Sequence, residues 1–112
     1  MNQVYVCSYH CCESGYAEDV FTDKVFDSEE KAKKWIISEA NDFLDQEIAD
    51  IQKNIKKFEV FDTGYLQDEL CELDIIKSSL KIDENKNGGQ ICFLLNRNDG
   101  HYCWEYEVFT VE

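Results

Sequence analysis

Residues 27–58 read DSEEKAKKWIISEANDFLDQEIADIQKNIKKF, and this stretch decides the fold. Asp27 and Ser28 each carry a side-chain oxygen able to accept a hydrogen bond from the first amides of a helix, and Glu29 and Glu30 complement its positive end. From Ala32 the apolar positions run Trp35, Ile36, Ala40, Phe43, Leu44, Ile48, Ile51, Ile55 and Phe58, mostly three or four apart. That spacing keeps one face of a helix apolar. It predicts one long helix over residues 28–58.

On the C-terminal side, Asp62-Thr63-Gly64 supplies a turn, and Leu66, Leu70, Leu73, Ile76 and Leu80 repeat the same spacing. A second helix is expected over 64–82, and the short connection favours an antiparallel helical hairpin. A competing reading makes Phe58–Phe61 a short strand. On the N-terminal side, residues 4–9 and 20–26 are rich in β-branched and aromatic side chains and read as an opening hairpin. Glu13-Ser14-Gly15 and Glu18-Asp19 form the loop between them. Residues 83–89 read as a further loop, followed by strands at 90–95 and 102–111 joined through Asp99-Gly100. The expected architecture is a single α+β domain over 1–112, a mostly antiparallel four-stranded sheet packed on an antiparallel helical hairpin, in the order ββααββ.

A chain of 112 residues has room for one domain, and its 44% hydrophobic content offsets chain entropy despite a formal charge of −13. The charge comes from 24 carboxylates against 11 cations, with Arg97 as the only arginine. Arginine is the usual bidentate ligand of phosphate and guanine, so direct nucleic-acid binding is disfavoured, and so is an anionic membrane. A partner with a basic surface would be attracted at long range. Met1-Asn2-Gln3-Val4 opens no secretory signal pattern, and no apolar run approaches membrane-spanning length. Cytoplasmic localisation with six reduced cysteines is therefore the expectation.

Asp83-Glu-Asn85-Lys-Asn87-Gly88 matches the first half of a calcium loop, but the closing glutamate would fall at Leu94. Cys7, His10, Cys11 and Cys12 lie close in sequence, while His101 and Cys103 share one face of the last strand, so zinc ligation is conceivable. Their spacing matches no recognised ligand pair, and in a strand Tyr5, Cys7 and Tyr9 point to one side whereas adjacent Cys11 and Cys12 diverge unless a turn redirects them. Cys71 and Cys92 read as small core hydrophobes. Cys7 or Cys12 beside His101 would suit a thiolate nucleophile, yet nothing in the sequence positions them. Phosphate loops, nucleophile elbows and metalloprotease helices do not occur. The sequence thus assigns no catalytic residue, metal or cofactor, and favours binding over catalysis.

The acidic residues are unevenly placed. Glu29 with Lys33 and Glu30 with Lys34 balance the first helical turn. Glu39, Asp42, Asp45, Glu47 and Asp50 then follow with no lysine or arginine among residues 39–50, and residues 59–74 add six carboxylates, again without a cation. Glu39, Asp42, Asp45 and Asp50 are expected opposite the apolar stripe, at about one charge per 4 Å of helix, against about 3.4 Å along one DNA strand. Asp68, Glu69 and Glu72 of the second helix would extend this partner-binding surface. Lys53, Lys56 and Lys57, or Lys77 and Lys81, would neutralise part of it if the hairpin brought them alongside. A second binding mode would use Tyr9, Tyr16 or Trp104 as exposed aromatic anchors.

Val4-Tyr5-Val6, the phrase from Val25 to Ala32 (Val-Phe-Asp-Ser-Glu-Glu-Lys-Ala) and the closing Trp104-Glu-Tyr-Glu-Val108 resemble small phage and mobile-element proteins of unassigned function. The matched segments cover both ends of the sheet and imply fold only. Size, acidity and the lack of a catalytic signature are similar to anti-CRISPR proteins. That likeness implies an inhibitor that occupies the basic nucleic-acid channel of a host protein.

Overall fold

In the computed structural model, residues 2–12, 19–58, 63–95 and 100–111 are described, with no side-chain detail for 19–23. Five strands and two helices follow one another as β1 (Asn2–Cys12), β2 (Asp19–Phe26), α1 (Glu29–Lys57), α2 (Gly64–Ser78), β3 (Asp83–Asn85), β4 (Gly88–Leu95) and β5 (Gly100–Val111). The strands form one antiparallel sheet in the order β2-β1-β5-β4-β3. The α+β class and helical hairpin are as expected, while the sheet has five strands instead of four.

The added strand is β3, which pairs Asp83 with Gln90, Glu84 with Gly89 and Asn85 with Gly88. The segment that resembled a half calcium loop is therefore a tight hairpin. Asn85 spends its side-chain oxygen on the backbone N–H of Asn87 at 2.8 Å, stabilising the turn. Gly88 is required there, because a Cβ would come within 1.9 Å of the Tyr106 carbonyl oxygen.

Helix α1 begins as its sequence dictates. Ser28 is extended, and its Oγ accepts from Lys31 N at 3.4 Å. Ser28→Ala should cost about 0.5–2 kcal/mol, measured as a lower urea midpoint at unchanged m-value. Ion pairs Asp27–Lys31, Glu29–Lys33 and Glu30–Lys34, at 3.0, 2.9 and 3.4 Å, neutralise the first turns. Phe58 ends the helix as its C-cap, and the rest of the competing strand, 59–61, lies outside the described residues.

Strand alternation separates the two sheet faces. Tyr5, Cys7, Tyr9 and Cys11 of β1 lie opposite Val108, Tyr106, Trp104 and Tyr102 of β5, while Ile91, Phe93 and Leu95 extend the same face onto β4. Against it α1 buries Ala32, Ile36, Ala40, Leu44 and Ile51. Phe43 meets Tyr102 at 4.6 Å and Trp104 at 5.5 Å between ring centroids, and Phe93 closes the cluster. Helix α2 rests chiefly on α1, with Leu66 and Leu73 buried.

Helix α2 ends at Ser78, short of the expected 82. Ser78 Oγ donates to the Asp74 carbonyl and Ser79 Oγ to the Ile75 carbonyl, both at 2.8 Å, side-chain bonds that compete with helix continuation. Leu80 and Ile82 still reach the core from non-helical backbone. With its 29-residue helix at about 1.5 Å per residue, the molecule is long, 62 Å by 28 Å by 19 Å.

A polar clamp fastens the start of α1 to the sheet. Tyr106 donates to Glu29 at 3.2 Å, and Lys33 reaches both Glu29 and Glu84 of β3. Lys33 is held above the ordinary lysine range by these carboxylates, and its ammonium in turn keeps the Glu29 carboxyl below the usual range. Burial, reinforced by the Glu29 charge, pushes the Tyr106 phenol from 10.0 to about 12. The folded chain then keeps a proton that the unfolded chain releases, so this contribution is complete below pH 10 and is lost as pH rises from 10 towards 12. Urea midpoints across that window should fall less steeply for Tyr106→Phe than for the parent chain.

Candidate functional site

Two surfaces carry the chemistry singled out by sequence. The first is the outer side of the helical hairpin. Asp45 of α1 forms an ion pair with Lys77 of α2, which fixes the antiparallel register. Counting from it at 1.5 Å per residue puts Glu72 level with Asp50, and Glu69 level with Lys53. One expected row of four carboxylates is therefore broken. Asp45 turns towards α2 and is neutralised there by Lys77, one of the lysines expected alongside α1. At 100° per residue, Glu39, Asp42 and Asp50 fall within about 80° of one another, with Asp45 about 60° further round beyond Asp42.

Asp42, Asp50 and Asp68 are exposed, while Glu39, Glu69 and Glu72 are half-buried. Glu39 and Asp42 border a shallow depression also lined by Tyr9, Phe43, Gln46 and Trp104. The proposed aromatic anchors fare worse. Trp104 is only 4% exposed and packs with Tyr9 at 4.9 Å, so it serves the core and cannot be an exposed anchor. Tyr16 lies outside the described residues. Between Trp35 and Gln52 the helix carries no cation, so its field remains negative even after the Lys77 pairing.

The second surface is the sheet face turned away from α1. Here Ser8, His10 and Cys12 of β1 stand opposite Glu105, Cys103 and His101 of β5, and Cys92 of β4 stands opposite Cys103. Glu105 Oε1 accepts from Ser8 Oγ at 3.3 Å and lies 2.6 Å from His10 Nε2. The carboxylate sits between hydroxyl and imidazole, whereas a nucleophile relay places the imidazole in the middle. Cys7 is fully buried on the opposite face and cannot join His101.

Cys92 and Cys103 form a disulfide across neighbouring strands, with Cα atoms 4.2 Å apart, where six reduced thiols were expected. His101 Nε2 lies 3.6 Å from Cys103 Sγ. Cys92 thus belongs to the face away from the helices, and Cys71 is exposed on α2, so neither is the core hydrophobe expected. A signal for the pairing was present: in a hairpin centred on residues 96–99, Cys92 and Cys103 are equidistant from the loop. The adjacency of Cys12 to His101 had no such signal, because it depends on β1 pairing with β5.

Fold and surfaces define an acidic two-layer α+β domain, a five-stranded antiparallel sheet covered on one face by a helical hairpin. Among the described residues no helix is long and apolar enough to cross a membrane. Comparison with protein-family models, curated proteins and solved structures gave no match.

Proposed function

We propose that this chain is a small acidic interaction protein of phage or mobile-element type, acting in the host cytosol, that inhibits a nucleic-acid-handling protein by occupying its basic surface. It acts by binding and not by catalysis. The observation that carries this reading is the cation-free run of α1, where Glu39, Asp42 and Asp50 share one side of the helix while Asp45 pairs with Lys77. Asp68, Glu69 and Glu72 add charge from α2. With Asp45 neutralised, three carboxylates span eleven helical steps, about one per 5.5 Å, sparser than a DNA strand. The surface therefore competes with nucleic acid through field and contact more than through an atom-by-atom copy of the phosphate spacing.

The test is capture of host proteins on the immobilised chain at low and high salt, followed by elution with short duplex DNA. Nucleic-acid-binding proteins retained at low salt and displaced by the duplex support the proposal. Retention that neither salt nor duplex disturbs contradicts it.

A further inference from the structure

The sheet face away from the helices carries a cluster that the acidic-surface reading leaves unused. The ligand atoms of Cys92, His101 and Cys103 all lie within 4.8 Å of one another. In a tetrahedral zinc site with Zn–S of about 2.3 Å and Zn–N of about 2.0–2.1 Å, sulfur and nitrogen ligands stand about 3.6 Å apart and two sulfurs about 3.8 Å. His101 Nε2 and Cys103 Sγ are already at 3.6 Å. The two sulfurs, bonded to each other as a disulfide, part once the bond is reduced.

The fourth ligand would come from β1. Cys12 stands directly opposite His101 and, two residues from His10, faces the same side of the sheet. His10 itself, opposite Cys103, directs Nε2 to Glu105 at 2.6 Å and is engaged there. β4 and β5 thus bring two sulfurs and one imidazole together, and β1 sets Cys12 opposite His101 on the same face, a soft donor set suited to zinc.

We propose that Cys12, Cys92, His101 and Cys103 form a zinc(II) site that is open to metal when the Cys92–Cys103 disulfide is reduced. A dithiol reductant delivers two electrons and two protons to the bond, giving two thiols while it closes to its own disulfide. Zinc then displaces the protons of the three thiols and takes the unprotonated nitrogen of His101. The site would clamp β1, β5 and β4 together, the role the disulfide plays for β5 and β4 alone.

The experiment treats the whole chain with a dithiol, removes the reductant under argon, and titrates with zinc(II) and separately with cobalt(II). One equivalent per chain is expected for the reduced protein and none for the disulfide form, with the thiolate charge-transfer bands of tetrahedral cobalt. His101→Ala, at an exposed position, and Cys12→Ser should each lose more than the ~10–100-fold in affinity typical of outer-shell groups. Circular dichroism verifies that both variants fold. Absence of uptake after reduction overturns the proposal, as does uptake that both variants retain or that lacks thiolate bands, since the metal would then sit on the acidic helices.

Discussion

Tyr102→Ala is expected to destabilise the domain by about 3–5 kcal/mol, the range for deleting a buried aromatic ring. Tyr102 is 1% exposed and lies where α1 meets the sheet, 4.6 Å from the Phe43 ring and 6.1 Å from Phe93. Truncation would leave a cavity bounded by strands on one side and the helix on the other, neither of which can collapse far. Against a typical total of about 5–15 kcal/mol, such a loss approaches unfolding. Equilibrium urea denaturation checks it, and a loss below ~1 kcal/mol would show that α1 is not seated on this aromatic cluster.

The helical half of this architecture was legible because its signals are local. The Asp27-Ser28-Glu29-Glu30 start and the three-four spacing to Phe58 specify α1 nearly to the residue, and alternation in β1 separates Tyr5 and Cys7 from Val6 and Ser8. Strand β3 was not legible. Asp83, Glu84 and Asn85 are all exposed and polar, so no apolar period marks them, and only their pairing with β4 makes them a strand. The end of α2 departs from the apolar pattern for the opposite reason: Leu80 continues the period, but the hydroxyls of Ser78 and Ser79 turn back onto the last carbonyls.

The candidate sites divide in the same way. Acidity along α1 is a sequence property, but the diversion of Asp45 to Lys77 depends on how two helices dock. The sulfur cluster required both the β4–β5 and β1–β5 registers, and the second joins residues some ninety positions apart. Long-range antiparallel pairing leaves no periodic trace in either strand.

The second large effect concerns the acidic helices. Asp42, Asp50 and Asp68 are all exposed, and none belongs to the buried core, so their joint replacement by lysine should leave the fold intact. It changes the surface charge by six units where the basic partner is proposed to dock. Loss of three attractive contacts and creation of repulsion should cost about 3–4 kcal/mol, on the order of 10²–10³-fold in Kd. Most of the loss in association rate should appear at low salt, where the field is least screened. Asp45→Lys is a poorer probe, because it also breaks the Lys77 pair.

The most direct measurement is the Kd of a captured nucleic-acid-binding partner for the parent chain and for the Asp42→Lys, Asp50→Lys, Asp68→Lys chain, at low and high salt and with duplex DNA as competitor. The acidic-surface account predicts tight, salt-sensitive binding that DNA displaces for the parent, and on the order of 10²–10³-fold weaker binding for the triple variant. Equal affinity of the two chains, unmoved by salt or DNA, would contradict it.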